Sequence, residues 1–182
     1  MALSLADIEK LFADRGQIEY SGEGVTQLEH ALQAADLAEK EGAGDALVTA
    51  AFLHDLGHLL NLQGETPTAR GIDDQHQYFA IPFLRPLFPP AVIEPTRLHV
   101  DAKRALCALE PAYHDALSED SKRSLKLQGG TFTAGQMQAF MAKPHAADAI
   151  RVRRWDDRAK SPGAQTPSLR HFLETVSRCA WK

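Results

Sequence analysis

The stretch that decides the fold is Ala50-Ala51-Phe52-Leu53-His54-Asp55-Leu56-Gly57-His58. It lies in an alanine- and leucine-rich segment, residues 46–60, whose pattern predicts a buried helix. Neighbouring residues on a helix point about 100° apart, so the His54 imidazole can hold one metal ion while the Asp55 carboxylate reaches between two. A buried aspartate without a partner is unfavourable. The segment therefore predicts a metal ligand at Asp55, with a structural pairing to a cation as the alternative.

Other side chains that ligate metals are spread along the chain in a suitable order. Imidazole nitrogens and carboxylate oxygens suit iron, manganese, zinc and similar cations, and no thiolate is needed. The candidate ligands for two metal ions are His30, His54, Asp55, His76, His99 and Asp156. Asp157 is the alternative to Asp156, because spacing alone does not separate two adjacent carboxylates.

Composition indicates an ordinary globular protein. The chain has 182 residues, of which 44% are hydrophobic and 24% charged, and we expect one domain spanning residues 1–182. A net charge of −4 gives no reason to expect nucleic-acid binding. The two cysteines are too few for a disulfide framework, and no signal peptide or membrane span is evident. We expect a cytoplasmic protein with no nucleic-acid, membrane or obligate protein partner.

Apolar residues recur at helical spacing along most of the chain, and we find no alternation typical of β-strands. Ser4 and Ser168 are suitable N-caps for the first and last helices. The glycine-containing stretch 61–74 predicts a loop. Predicted helices include residues 26–40, 45–60, 75–84 and 91–108. The sequence predicts an all-α helical bundle.

The ordered ligands, from His30 through His54-Asp55 to Asp156, resemble the signature of the HD-domain superfamily of helical, metal-dependent enzymes. His76 and His99 extend this pattern to a two-metal arrangement, and the resemblance covers almost the whole chain. Most members of the superfamily are phosphohydrolases. A smaller branch consists of mixed-valent di-iron oxygenases.

The loop before the first ligand favours the oxygenase branch. Tyr20-Ser21-Gly22-Glu23 resembles the N-terminal signature of the HD-domain phosphonate-cleaving oxygenases. The resemblance implies that Tyr20 occupies a position on iron until substrate displaces it, and that Glu23 helps form the pocket for the amino end of the substrate. Taken as bare residues, Tyr20 is an ordinary loop aromatic and Glu23 a solvated charge.

A second group resembles the phosphonate-holding segment of the same family: His99-Val100-Asp101-Ala102-Lys103 with the residues around Ser121 to Gly130. Ammonium, hydroxyl, amide and imidazole groups are donors suited to a dianionic headgroup. The resemblance implies that the phosphonate is contacted by His58, Lys103, Ser121, Ser124 and Gln128. Ser124 stands where a threonine is expected, which keeps the hydroxyl. Asp74 is expected to act with Glu23 in favouring a charged amine, unless it is a loop charge facing water.

The resemblance as a whole implies an oxygenase that uses a mixed-valent Fe(II)/Fe(III) pair, with O2 as co-substrate. It would cleave the C–P bond of a 1-hydroxy-2-aminoethylphosphonate, or of its trimethylammonium analogue, to phosphate and glycine or glycine betaine. The expected catalytic residues are Tyr20, Glu23, His58 and Lys103. Two alternatives are an HD-type phosphohydrolase acting on a phosphomonoester and a non-catalytic HD module that binds a small ligand.

Overall fold

The computed structural model describes residues 3–20, 22–61 and 67–181. Predictions for Ser21 and for residues 62–66 of the expected loop lie outside these ranges. Within them, regular structure is helical except for an isolated antiparallel bridge between Glu19 and Thr26, which confirms the all-α prediction. The helices are α1 (Leu5–Arg15), α2 (Gln27–Lys40), α3 (Asp45–Leu53), α4 (Leu56–Leu60), α5 (His76–Phe79), α6 (Ile81–Leu84), α7 (Pro90–Leu109), α8 (Pro111–Ala116), α9 (Glu119–Leu127), α10 (Ala134–Met141), α11 (Ala146–Arg158) and α12 (Leu169–Cys179), with a 3-10 turn at Pro67–Arg70.

Helix α3 lies at the centre of the bundle. Residues 47–53 are all buried, as expected of a helix that is apolar on every side. It packs against α2, α7, α11 and α12. The Phe52 ring contacts Phe12 of α1 and Phe172 of α12, with ring centroids 4.6 and 6.0 Å away. This packing fixes the end of α3, where His54 and Asp55 follow.

The predicted continuous helix over residues 45–60 is wrong at its centre, because α3 ends at Leu53 and α4 begins at Leu56. The His54 Nδ1–H donates to the Ala51 carbonyl at 2.8 Å, which is the acceptor that the Asp55 amide would use in a continued helix. Asp55 leaves the helical conformation with φ −104° and ψ 12°. The two side chains therefore project from a turn between helices.

In the predicted helical segment 75–84, Pro82 is expected to break the helix, and the segment forms two short helices, α5 and α6. Pro82 has no amide hydrogen to donate to the preceding turn, and it occupies the first turn of α6. The predicted capping serines are confirmed, since Ser4 accepts from the Asp7 amide and Ser168 from the His171 amide.

Two long helices carry the remaining part of the site. Helix α7 presents His99 and Lys103 one turn apart, and α11 presents Arg153 and Asp156; these two helices pack against each other. In the part of the chain that the structure describes, no helix is both long enough and apolar enough to cross a bilayer.

Gly57 in α4 allows α4 and α5 to approach closely. A Cβ atom there would lie 2.1 Å from the His76 carbonyl oxygen, so Gly57→Ala must push the two helices apart. We expect a loss of about 1–3 kcal/mol in the free energy of unfolding, measured by chemical denaturation. Gly135→Ala in α10 is the matched control, because nothing lies within 4 Å of its added Cβ. Equal stability of both variants would show that α4 and α5 can separate freely.

Candidate metal centre and active site

The two carboxylate oxygens of Asp55 face two different pairs of imidazoles. Asp55 Oδ2 lies 3.6 Å from His30 Nε2 and 3.4 Å from His54 Nε2. Asp55 Oδ1 lies 3.2 Å from His76 Nε2 and 3.4 Å from His99 Nε2. This is the arrangement of a carboxylate that bridges two cations.

The other ring nitrogen of each imidazole is fixed by a hydrogen bond. Carbonyl and carboxylate oxygens only accept, so each Nδ1 carries a hydrogen, and each Nε2 is the ring nitrogen that can bind a metal ion when it is unprotonated. The Nδ1–H donors and their acceptors are His30 and Ala159 O (2.9 Å), His54 and Ala51 O (2.8 Å), His99 and Thr96 O (2.7 Å), and His76 and Asp74 Oδ1 (2.8 Å). Histidines that ligate metals are oriented in this way.

The Nε2 atoms face each other in two pairs at short range. His30 Nε2 and His54 Nε2 are 3.1 Å apart, and so are His76 Nε2 and His99 Nε2. Two nitrogens bound at right angles to one ion, each at about 2.1 Å, would be about 3 Å apart. Asp55 Oδ1 is buried and has no hydrogen-bond partner in the described structure. These donors therefore fit two metal ions that share Asp55.

The charges of the cluster also call for cations. Although burial by itself lowers the pKa of His54, the neighbouring carboxylates of Asp55 and Asp156 raise it to about 10. In the same way, burial lowers the pKa of His76 but Asp55 and Asp74 raise it to about 9. Buried carboxylates thus attract positive charge to both imidazole pairs.

Asp156 and Asp157, which the sequence left as alternatives, point in different directions. Asp156 is buried, and its Oδ1 lies 3.5 Å from His30 Nε2 and 3.9 Å from His54 Nε2. Asp157 accepts hydrogen bonds from Arg153 and Tyr113 instead. The geometry places the Asp156 carboxylate beside His30 and His54, the first imidazole pair.

Tyr20 covers the first imidazole pair. Its ring stacks on His30 with centroids 3.9 Å apart, and its hydroxyl lies 3.5 Å from Asp156 Oδ1. Burial, together with the Asp156 and Asp55 carboxylates, raises the pKa of the phenol well above its usual range. The Tyr20 hydroxyl thus reaches the edge of the candidate metal site.

Asp74 and His58 lie beside the second imidazole pair, His76 and His99. Asp74 accepts from His76 through Oδ1 at 2.8 Å and contacts His58 Nδ1 through Oδ2 at 2.7 Å. The His58 ring stacks on His76 at 4.0 Å, and its Nε2 lies 3.8 Å from Asp55 Oδ1. Both oxygens of Asp74 therefore hold imidazoles, and they orient His58 toward the cleft.

The predicted anion-binding donors form a cluster next to the metal-binding residues. Lys103 is 2% exposed, and its Nζ donates to Ser124 Oγ at 2.7 Å. Burial and the nearby Arg153 guanidinium lower the pKa of Lys103 to about 7. Ser121 is buried nearby, and Gln128, whose side-chain NH2 group is a donor, lines the same cleft. The cluster can therefore offer donors to an anion.

Sequence reasoning missed two cationic residues of the site. Arg153 is 4% exposed, donates to Asp156 Oδ2 at 2.6 Å, and lies 3.5 Å from Ser121 Oγ. Its spacing of three residues before Asp156 on a helix was the available signal. Lys160 lines the cleft and pairs with Glu23 at 3.2 Å, and no spacing pattern pointed to that contact.

All the predicted site residues meet at one cleft. His30 and His54 are fully buried behind its wall. The predicted residues on the wall are Tyr20, Glu23, Asp55, His58, Asp74, His76, His99, Lys103, Ser121, Ser124, Gln128 and Asp156.

The chain is similar in sequence to several known proteins. No protein-family model matches the chain. It is 43% identical over 171 residues to the hydroxymethylphosphonate dioxygenase of Gimesia maris, covering 93% of this chain and 85% of that protein. It is 39% identical over 168 residues to the glycine-betaine-forming [1-hydroxy-2-(trimethylamino)ethyl]phosphonate dioxygenase of Leisingera caerulea, covering 92% and 86%. An uncharacterised protein of Acanthamoeba polyphaga mimivirus is 34% identical over 155 residues.

Both named relatives are phosphonate dioxygenases that align over more than nine-tenths of this chain. The sequence-based assignment to this branch of the HD-domain proteins is confirmed. The chain belongs to the HD-domain family of phosphonate dioxygenases.

Proposed function

We propose that this protein is an iron- and O2-dependent dioxygenase that cleaves the C–P bond of a small phosphonate carrying a hydroxyl group on C1. The observation that carries the proposal is the shared Asp55 carboxylate, with an imidazole pair on each side, next to the buried donors around Lys103. The candidate metal-binding residues and the candidate anion donors thus adjoin one cleft.

The proposed cofactor is a pair of iron ions in the Fe(II)/Fe(III) state. His30, His54, Asp55 and Asp156 would hold one ion, and Asp55, His76 and His99 the other. Nitrogen and oxygen donors without thiolate are compatible with iron, although they would also accept other cations. When bound, iron supplies the activation of O2.

The remaining residues bind and orient the substrate. Lys103, Ser121, Ser124 and Gln128 would donate to the phosphonate oxygens, with His58 as a further donor. This would hold C1 and its hydroxyl toward the two candidate metal positions. Tyr20 would cover the first position until substrate is bound.

The net reaction balances without another reactant. A 1-hydroxyphosphonate and one O2 give a carboxylic acid and phosphate. C1 loses its C–H and C–P bonds and becomes the carboxyl carbon, while the two oxygen atoms of O2 complete the products. C1 and phosphorus are oxidised, and O2 is reduced.

The names of the two relatives support this substrate class. Hydroxymethylphosphonate and 1-hydroxy-2-(trimethylamino)ethylphosphonate share the phosphonate and the C1 hydroxyl, and they differ in the group attached to C1. The predicted 1-hydroxy-2-aminoethylphosphonate belongs to the same class.

The direct experiment measures phosphate release from these three phosphonates by iron-loaded protein, with and without O2. We expect release only with O2, accompanied by the matching carboxylic acid. Phosphate release from a phosphomonoester without O2 would instead identify a phosphohydrolase. Absence of turnover with every substrate would favour a non-catalytic binding module.

Removal of the bridging carboxylate should affect both metal ions. Asp55→Ala is expected to lose both, because each imidazole pair shares that one side chain. Metal content per folded chain measures this. Asp36→Asn is the matched control, since Asp36 is also buried but pairs with Lys40 away from the cluster. Two ions retained in Asp55→Ala would refute the bridge.

The charge on Lys103 should make phosphonate binding depend on pH. The pKa of Lys103 is lowered to about 7. Before substrate binds, its amino group is therefore charged below that pH and becomes neutral as the pH rises. We expect the ratio of kcat/KM in the native enzyme to that in Lys103→Met to fall as the pH is raised from about 6 to about 9. Titration of the substrate cancels in this ratio. A ratio that is constant with pH would contradict a charged contact.

A further inference from the structure

Lys160, which follows the end of α11, points into the cleft and pairs with Glu23. Its Nζ lies 3.2 Å from Glu23 Oε1, and the two side chains are only 13% and 16% exposed. The same ammonium lies 5.7 Å from the centroid of the Tyr20 ring. It therefore contacts both of the groups in this corner that would attract a cation.

The backbone on both sides of Lys160 is held to α2. The His30 Nδ1–H donates to the Ala159 carbonyl at 2.9 Å. The side-chain amide of Gln33 donates to the Ser161 carbonyl and accepts from its amide, each at 3.0 Å. This anchoring presents Lys160 to the cleft from a fixed position next to a candidate metal ligand.

The other carboxylates that line the cleft already have partners. Asp55 and Asp156 belong to the imidazole cluster, and Asp74 holds two imidazoles. Asp120 accepts from the Thr68 hydroxyl and from Arg123. Asp73 accepts from the Gln75 amide and also borders a separate hollow. Glu23 is thus the carboxylate in this corner of the cleft whose partner is the Lys160 ammonium rather than an imidazole of the cluster.

The cleft provides little aromatic surface for a quaternary ammonium. Among the described residues, Tyr20 is the only Phe, Tyr or Trp on the wall. The stretches that the structure does not describe contain no aromatic residue in the sequence. A cation–π contact with Tyr20 would have to share the ring with Lys160.

We propose that Lys160 determines specificity for the group attached to C1, because its ammonium occupies the position against Glu23 and Tyr20 that a substrate ammonium would need. The site then favours 1-hydroxyphosphonates without a cationic substituent over those that carry one. This inference rests on the proposed function. It adds the class of substrate that the same site prefers.

The test compares binding of hydroxymethylphosphonate and its 2-trimethylammonium-bearing analogue, 1-hydroxy-2-(trimethylamino)ethylphosphonate. Calorimetry on metal-loaded protein without O2 gives both Kd values independently of turnover. Lys160→Met keeps the length of the stem and removes the charge. We expect Lys160→Met to strengthen binding of the trimethylammonium ligand relative to hydroxymethylphosphonate by about tenfold. The reason is that the variant removes a positive charge close to the ligand's own positive charge.

Glu23→Gln provides the opposite change. It leaves the Lys160 ammonium without its carboxylate, so the Kd ratio should move away from the cationic ligand. If the pair had only a structural role, each variant would change the Kd of both ligands by the same factor, and the ratio would stay constant. Arg158→Met is the matched control, because Arg158 is exposed, lies two residues away and pairs with Glu41; its ratio should match that of the native protein.

Two results would overturn the inference while leaving the proposed function intact. One is an unchanged ratio in Lys160→Met with both ligands bound. The other is a ratio that instead responds to Asp73→Asn, which would place the amine at Asp73. If the native protein binds neither phosphonate, the proposed function itself fails and the inference falls with it.

Discussion

A single buried carboxylate, Asp55, faces two pairs of imidazoles, and the local structure around it is arranged to make this possible. An isolated charge in an apolar core is strongly unfavourable, yet Asp55 follows a helix that is buried on all sides. The chain leaves the helix at this point because the His54 ring takes the Ala51 carbonyl. The turn directs both side chains into the space between α2, α7 and α11. Positive charge in that space is what makes the buried cluster stable.

The imidazoles are held mainly by backbone acceptors rather than by other charged side chains. Carbonyls of Ala51, Thr96 and Ala159 fix three of the four rings. A carbonyl sets the tautomer and the ring angle without adding a net charge to the centre. Asp74 is the exception, because it holds His76 and His58 together. The second imidazole pair is thereby linked to the wall of the cleft that faces the proposed phosphonate site.

The two ends of the cleft are built from different kinds of structure. Lys103 and Arg153 come from the long, mutually packed helices α7 and α11, and Ser121 and Ser124 come from α9. Glu23 and Lys160 lie on connections that precede α2 and follow α11. Connections tolerate change more readily than packed helices. This division agrees with relatives whose names share the hydroxyphosphonate unit and differ in the attached group.

The sequence by itself determined the all-α class, the helix caps and the family, because these depend on periodicity and on residue types in a fixed order. It also named most of the functional residues that meet at the cleft, since the resemblance supplied their order along the chain, but it missed Arg153 and Lys160. It could not show that the helix breaks at His54, because that break depends on one ring competing for a carbonyl. The family resemblance favoured Asp156, but spacing could not separate it from Asp157, because that depends on the direction in which each carboxylate projects from α11. Only the tertiary structure decided that Lys160 meets Glu23, because those residues are far apart in sequence and are brought together by the packing of α11 against α2.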